Sequence, residues 1–390
     1  MDVNKIKILY DDGGFVMPYG GVARYFTEMI KRLPEDIAWQ FGMVGTRNLY
    51  LQKPPYNLPP YNQDVHDFVR NTLNGHSFRG VSHVYQMLAR LMPNRFPSGE
   101  LANKRALNAA FKTCDFDIVH LTSAHPVHDY WRLVRGKRPI VVTIYDLIPE
   151  ILYGDNRVAR IRRRLLRDAS HIIAISEYTK RDIMRIYNVP NDKITVIHLG
   201  YLKPDVMARV SFPLPKSYVL YVGGRGGYKN FSFFIKAIAP LLKDMDLSLF
   251  CTGGKFNADE QSLLVRLGIT AKIQQRFVPD AELPDLFANA VAFVYPSIYE
   301  GFGLPILDAF EAGCPVVLSR CSCFPEVGGE AALYFDKDDA ETLRKHIFNL
   351  QSDKHLREEM IAKGKHRTSL FTWEKCAEGT ARVYRDVCSK

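Results

Sequence analysis

Glu300 and Asp308 stand eight residues apart in Pro296-Ser297-Ile298-Tyr299-Glu300-Gly301-Phe302-Gly303-Leu304-Pro305-Ile306-Leu307-Asp308, where an apolar run gives way to a glycine turn and a helix opening with proline. Glu300 falls in the turn and Asp308 about one turn into the helix, so the two carboxylates can address two ends of one ligand. Carboxylates accept hydrogen bonds from paired sugar hydroxyls and are unsuited to phosphate. An acid early in a helix also simply suits the helix dipole, so Asp308 alone would carry no argument. A second block supplies the opposite chemistry. Gly223-Gly224-Arg225-Gly226-Gly227-Tyr228-Lys229-Asn230 sets an arginine and a lysine among four glycines. Guanidinium and ammonium groups neutralise pyrophosphate oxygens, and a merely flexible loop would not need both cations. The third block is Asp11-Asp12-Gly13-Gly14, then Pro18-Tyr19-Gly20-Gly21, just before a candidate helix. Free amides at a helix start attract phosphate or a developing anion, although the same residues also make an ordinary turn. Its spacing is not the Gly-x-Gly-x-x-Gly dinucleotide fingerprint.

To meet at one ligand, these blocks must lie at the ends of strands. Apolar runs predict strands at Ile6–Tyr10, Ile118–His120, Ile140–Tyr145 and His171–Ile175, separated by helices at Val22–Leu33, Ala102–Phe111 and Glu177–Tyr187. Tyr218–Val222, Leu247–Cys251, Ile273–Phe277, Ala292–Tyr295 and Pro315–Leu318 continue the alternation, with helices at Ser232–Leu242 and Pro305–Ala312. This pattern predicts an α/β fold with parallel sheets covered on both faces, and each block then sits at a strand's C-terminal end, where open parallel sheets bind ligands. A break is expected near Gly200–Pro215, where Gly200, Pro204, Pro213 and Pro215 interrupt any period. Residues 45–100 fit the alternation poorly. Pro54-Pro55 and Pro59-Pro60 interleave with Tyr56 and Tyr61, and a moderate helical pattern follows at Val81–Leu91. That stretch reads either as a surface excursion or as an insertion shaping a cleft.

The length of 390 residues favours two domains, and 47% hydrophobic with 24% charged residues excludes disorder and fibres. No run reaches the roughly 18 apolar residues of a membrane span, and Met1–Gly14 is charged where a signal peptide would be apolar, so the expected location is cytoplasmic. Cysteines at 114, 251, 314, 321, 323, 376 and 388 read as reduced thiols, and Cys321-x-Cys323 alone is a weak zinc signal. The net charge of +10 is uneven: residues 1–205 hold 29 Lys and Arg against 20 Asp and Glu, the remainder 23 against 22. A basic half suggests an anionic partner. Its densest run, Arg157–Arg167, sets Val158, Ile161 and Leu165 on one stripe among Arg157, Arg160, Arg163, Arg164 and Arg167. It is either a solvated surface helix or a helix resting on anionic lipid.

The block from Glu300 to Asp308 resembles the E-x7-E signature of retaining glycosyltransferases of family 4, which have the GT-B fold of two Rossmann-like domains facing a cleft. The resemblance runs through most of the chain. Gly20-Gly21-Val22-Ala23-Arg24-Tyr25 is similar to the family's N-terminal glycine loop, Ile118-Val119-His120 to its strand-end histidine, Ile175-Ser176-Glu177-Tyr178-Thr179 to its SE-x-T segment, and Gly223–Asn230 to its basic donor loop. Two departures stand out: Asp308 is one methylene shorter than the usual glutamate, and Arg225 precedes Lys229 by four residues where many relatives have six.

The resemblance implies domains at 1–203 and 204–372, with 373–390 a helix crossing back to the first. It also implies roles. Glu300 would bind donor-sugar hydroxyls and Asp308 the nucleotide ribose. Arg225 and Lys229, within the loop from Gly223 to Tyr228 and beyond, would hold the diphosphate. Gly301, Phe302, Gly303 and Leu304 would assist through their backbone. His120 would face the sugar from the opposite wall, while Gly20 and Gly21 admit phosphate or acceptor; a satisfied strand-end histidine is the plainer reading of His120. The implied reaction is front-face transfer of a hexose, with mannose from GDP-mannose the expected donor, to a saccharide or lipid-linked saccharide in surface polysaccharide synthesis. No cofactor, metal or nucleic acid is expected. An anionic membrane surface, met through Arg157–Arg167, is the expected further partner, at the inner face of the membrane. Asp115-Phe116-Asp117 mimics a metal-binding Asp-x-Asp but sits where a loop opens a strand, and is read as structural. An NAD-dependent oxidoreductase lacks its glycine fingerprint here, and a nucleic-acid binder leaves Glu300 and Asp308 unexplained.

Overall fold

The computed structural model of the chain describes residues 5–60, 81–91, 99–124, 135–203 and 208–389. Strands β1 (Ile6–Tyr10), β2 (Ile37–Phe41), β3 (Ile118–Leu121), β4 (Ile140–Ile144), β5 (His171–Ala174) and β6 (Ile194–Val196) form a parallel sheet in the order β2-β1-β3-β4-β5-β6. Strands β7 (Tyr218–Tyr221), β8 (Ser248–Thr252), β9 (Ile273–Arg276), β10 (Ala292–Tyr295), β11 (Val316–Ser319) and β12 (Ala332–Phe335) form a second, in the order β12-β11-β10-β7-β8-β9. Every residue of β3, β4, β7, β10 and β11 is buried, the condition under which parallel strands read as unbroken apolar runs. The strands that the sequence pattern passes over, β2, β6 and β12, are all edge strands with partly exposed residues.

Helices cover both sheets. In the first half they are α1 (Gly21–Ile30), α2 (Val81–Leu91), α3 (Gly99–Thr113), α4 (Ile148–Tyr153), α5 (Asn156–Asp168) and α6 (Glu177–Tyr187). In the second they are α7 (Phe231–Asp244), α8 (Ala258–Leu267), α9 (Leu283–Asn289), α10 (Leu304–Glu311), α11 (Phe324–Gly328), α12 (Ala340–Ser352), α13 (Lys354–Thr368) and α14 (Trp373–Cys388). Their starts follow capping chemistry: the Ser176 hydroxyl accepts from the Thr179 amide to begin α6, and Asn257 and Glu260 form a reciprocal capping box on α8. On α5, Val158, Leu165 and Leu166 are buried while Arg157, Arg160, Arg163, Arg164 and Arg167 are exposed. Among the described residues, no helix is long and apolar enough to cross a membrane.

The chain passes between the sheets twice, and the passes touch where the Tyr201 amide donates to the Phe371 carbonyl (2.9 Å). After the second pass, α14 packs against α1, β1 and β5 of the first sheet. The described part of the 45–60 stretch is tied to the loop after β1, with the Leu49 amide on the Pro18 carbonyl (2.8 Å) and the Asn48 side chain on the Met17 carbonyl (2.9 Å); residues 61–80 and 92–98 of the longer stretch lie outside the described residues. In each sheet the strand order reverses beside its first strand, at β1/β3 and β7/β10. Loops leaving such neighbouring strands in opposite directions open a crevice at their C-terminal ends. The three blocks of interest are the loops at those two points.

Candidate active site

The loops after β7 and β10 are joined by a hydrogen bond from the Ile298 amide to the Tyr228 carbonyl (2.8 Å). That bond brings Lys229 and Glu300 together. The Lys229 ammonium lies 2.6 Å from Glu300 Oε1 and 3.2 Å from the Tyr295 hydroxyl, and it sits 5.0 Å from the centre of the Tyr228 ring. Burial, with Glu300 close by, pushes the Tyr228 phenol up to about 12. The Ser297 hydroxyl donates to the same Glu300 oxygen (2.8 Å), the Glu300 amide donates to Ser322 Oγ (2.9 Å), and the Cys323 thiol donates to the Glu300 carbonyl (3.3 Å). Cys321 likewise donates to the Ser297 carbonyl. Both thiols of the Cys-x-Cys pair thus serve the backbone of the acidic loop. Beta-carbons placed on Gly223, Gly224 or Gly226 would meet nothing within 4 Å, so the loop faces open space that a ligand can fill.

Gly303 takes φ +91°, in the left-handed region, and caps α10, whose first residue is Leu304. Gly301 lies so close to the first domain that a β-carbon would fall 1.9 Å from the Tyr145 carbonyl oxygen. Phe302 is buried against His198 and Phe371. Gly20 caps α1 and Gly21 begins it, and the space beside Gly21 leads to the Leu304 side chain, so the starts of α1 and α10 face each other across the cleft. The loop before Gly20 is fixed by Asp11, which accepts from the Thr122 amide and hydroxyl, while Thr122 Oγ1 accepts from the Gly14 amide (2.7 Å). Burial pushes the Asp11 carboxyl up to about 7 against these hydrogen bonds.

Asp308, half-buried on the second turn of α10, lines a cavity of about 540 Å³ between the domains, with Arg24 of α1, Tyr50 and Tyr56 beyond β2, Tyr201 of the crossover, and Asp280 after β9. Its carboxyl is pushed up to about 6, chiefly by burial, with Asp280 adding to the shift and Arg24 opposing it. Sequence reading missed Asp280, Arg24 and Tyr295. Asp280 lies only four residues past a strand end, the signal that singled out the other loops.

Two expected site residues lie elsewhere. Arg225 does not join Lys229: its side chain, 7% exposed, pairs with Glu260 (3.0 Å), donates to the carbonyls of Gly254 (2.7 Å) and Lys255 (2.9 Å), and lies over Phe256. The capping glutamate of α8 draws it in, and it fastens the glycine loop to the loop after β8. His120 does not face the cleft. It is fully buried, with Nδ1 bonded to the Tyr384 hydroxyl of α14 and Nε2 2.9 Å from the Thr143 hydroxyl, and burial pushes its pKa down to about 3. Asp115 and Asp117 hold the Lys7 side chain and amide before β3, at the end of the sheet away from the site.

Comparison with known proteins agrees with this fold. Residues 54–201 match the family model described as Glycosyltransferase Family 4, and residues 203–367 that described as Glycosyl transferases group 1. The O-antigen chain mannosyltransferase B of Escherichia coli is 34% identical over 267 residues, covering 63% of this chain and 70% of that protein. The O-antigen chain mannosyltransferase RfbU of Salmonella typhimurium is 29% identical over 249 residues, 58% of this chain and 70% of that one. In fold, the chain is similar to Anabaena Alr3699/HepE in complex with UDP and glucose, with a TM-score of 0.69 at 16% identity over 98% of this chain and 100% of that one.

Proposed function

This chain belongs to the GT-B glycosyltransferases, and on that premise we propose that it transfers mannose from GDP-mannose, with retention, to a hydroxyl of a saccharide or lipid-linked saccharide in surface polysaccharide synthesis. The observation that carries the reading is the Lys229–Glu300 pair at the mouth of the glycine loop. Without donor the two charges answer each other. With donor, the distal phosphate takes Lys229 and the sugar hydroxyls take Glu300, so one ligand replaces both halves of the pair. As the bond from the anomeric carbon to phosphate breaks, charge grows on the phosphate oxygen beside Lys229 and the facing starts of α1 and α10, which favour an anion there. The acceptor oxygen attacks from the same face, and its proton passes to the leaving phosphate oxygen, so no protein nucleophile is required.

The cavity beyond Asp308 supports the choice of donor. Asp308 is one turn past the helix start, where ribose hydroxyls follow a diphosphate. The Asp280 carboxylate can accept from both the N1–H and the exocyclic amine of guanine, whereas uracil offers it one N–H between two carbonyls. Tyr50, Tyr56 and Tyr201 supply ring faces for a base. The naming of two similar proteins as O-antigen mannosyltransferases points the same way. The five exposed arginines of α5 add a peripheral contact with the anionic inner face of a membrane, where a lipid-linked acceptor would be met.

The test is a donor panel of GDP-mannose, UDP-glucose, UDP-galactose and UDP-N-acetylhexosamines, scored by thermal shift and by turnover, with the anomeric configuration of the product read by NMR. Tighter binding of a UDP-sugar, or an inverted product, overturns the reading. Turnover should persist in excess EDTA, since Lys229 and helix amides carry the phosphate charge. Loss restored by magnesium or manganese would overturn the reading of Lys229 as the counter-charge to the diphosphate.

A further inference from the structure

Helix α6 of the first domain touches the second at two separate points, one on the acidic loop and one on α11 beside it, and neither contact takes part in the chemistry described above. At one point, the Tyr299 hydroxyl donates to Asp182 Oδ2 (2.8 Å), with the Tyr178 and Tyr299 rings edge to face at 5.9 Å. Asp182 also accepts from Arg185 on the same helix (2.6 Å). At the other, the Glu326 carboxylate of α11 accepts from the Glu177 amide (2.8 Å), the Tyr178 amide (3.3 Å) and His198 Nε2 (2.6 Å). A carboxylate suits these amides because they are unpaired within the helix and carry its positive end.

Both contacts lead to Glu300. Tyr299 precedes it in the chain. Glu326 belongs to the segment whose Ser322 and Cys323 bind the Glu300 amide and carbonyl. Between the two, Gly301 leaves no room for a side chain against Tyr145 of the first domain. The backbone of Glu300 is therefore fixed from both sides, and on both sides the anchor belongs to the other domain.

We propose that Tyr299 and Glu326 are positioning residues, through which α6 of the first domain sets the Glu300 carboxylate in its place for transfer. This explains why the Ser176-Glu177-Tyr178-Thr179 segment lies beside the reaction without contributing a group to it. Neither side chain need touch substrate and neither lines the cavity at Asp308, so their loss should act on turnover and leave GDP binding nearly unchanged. The inference rests on reading Glu300 as the carboxylate of the sugar site.

The experiment measures kcat and KM for the donor, the GDP dissociation constant, the melting temperature, and amide hydrogen exchange of residues 297–303. The variants are Tyr299→Phe, Asp182→Ala, Asp182→Asn, Glu326→Ala and the double variant Tyr299→Phe with Asp182→Ala, with Glu300→Gln as control. Tyr299→Phe and Asp182→Ala are each expected to lower kcat about tenfold, with the GDP dissociation constant within twofold of the parent and faster exchange at 297–303. The double variant should be no worse than either single one, because one hydrogen bond is removed once. Asp182→Asn keeps an acceptor oxygen and should recover most of the turnover. Glu326→Ala should mirror Tyr299→Phe. A lower melting temperature with unchanged turnover per folded molecule, or losses that multiply in the double variant, overturns the proposal. Unaffected turnover in Glu300→Gln instead removes Glu300 from the sugar site, and the exchange at 297–303 then still decides whether Tyr299 holds the loop.

Discussion

The Nζ atom of Lys229 lies 2.6 Å from Oε1 of Glu300, with 18% and 11% of the two side chains exposed. A cation and an anion this close and this sheltered are each other's principal partner until a ligand carrying both a phosphate and hydroxyls arrives. The two groups can therefore be separated experimentally, since the proposed reaction gives one to the leaving group and the other to the sugar.

Glu300→Gln keeps the shape of the side chain and removes its charge. Turnover should fall at least about a hundredfold, the scale of a lost charge-stabilising contact, with the melting temperature little changed. GDP itself should bind as tightly as before or several-fold tighter, because Lys229 no longer has an internal competitor. Near-parental turnover in a folded variant would take Glu300 out of the site.

Lys229→Ala and Arg225→Ala should fail differently. Lys229→Ala should lower turnover by roughly a hundredfold or more with a smaller effect on donor affinity, as expected of a contact that strengthens while charge develops. Arg225→Ala leaves Glu260 without its partner, and breaking a buried pair from one side costs about 3–5 kcal/mol, so the loss should be read in thermal unfolding. Equal losses of turnover with an unchanged melting point would put Arg225 back on the diphosphate.

The contrast between these two cations marks the limit of what a sequence conveys. The glycine loop, the strand before it and the helix after it are local patterns, and they were legible as such: the ends of β1, β10 and α6 match the sequence pattern. Which way Arg225 turns depends on Glu260, 35 residues on. The same is true of His120, whose partner Tyr384 is 264 residues away on the helix that crosses back. A histidine at the end of a buried strand looks alike whether it faces a cleft or a helix. Asp308 was legible through its spacing from Glu300, while the cavity it lines depends on Arg24, Tyr50 and Asp280 from three other loops and helices.

If Asp308 takes the ribose as proposed, it should make nucleotide binding pH-dependent. Its carboxyl is pushed up from 3.8 to about 6, and the ionised form is the better acceptor for ribose hydroxyls. Affinity for GDP-mannose, whose doubly esterified diphosphate does not titrate in this range, should be flat above about pH 7 and weaken as pH falls through 6, by up to tenfold per unit at the steepest. In Asp308→Asn that slope should vanish, and affinity at pH 7.5 should fall about ten- to a hundredfold, the worth of about 1.5–3 kcal/mol in charge-assisted hydrogen bonds. Calorimetric titration of GDP-mannose at several pH values decides it. A slope that survives in Asp308→Asn would assign the titration to another group.

His120 should matter to stability and not to chemistry. It is held neutral by burial with a pKa near 3, below the 6.5 of the free side chain, so the unfolded chain binds the extra proton first. Its contribution is whole above about pH 6.5 and declines as pH falls toward 3. His120→Ala should cost about 2–4 kcal/mol through the cavity and the hydrogen bonds lost by the Tyr384 and Thr143 hydroxyls, although Tyr384 keeps its bond to the Tyr10 hydroxyl, and its stability should decline less steeply on acidification than the parent's. Turnover per folded molecule should stay close to parental. A selective loss of turnover in fully folded protein would place the imidazole at the sugar after all.

The arginines of α5 test whether the basic first half has an anionic surface as its partner. Val158, Leu165 and Leu166 are buried and Arg162 is drawn in to Glu150 (2.8 Å), so packing accounts for those positions. Arg163 lies over the Tyr187 ring and Arg167 pairs with Asp168 (3.0 Å), but all five of Arg157, Arg160, Arg163, Arg164 and Arg167 stay exposed, and packing gives no reason for so many like charges there. A solvated helix would serve as well with mixed charges, whereas a surface that meets anionic headgroups gains about 1 kcal/mol from each arginine near it. Replacing Arg160, Arg163 and Arg164 by Gln should therefore weaken sedimentation with anionic phospholipid vesicles by about a hundredfold. Raising salt should weaken the parent's binding in the same way, because such attraction is screened within a Debye length of roughly 8–10 Å. GDP affinity and turnover on a water-soluble acceptor should be untouched, as none of the three residues lines the cleft. Equal sedimentation of the variant and the parent would return α5 to the role of an ordinary solvated face.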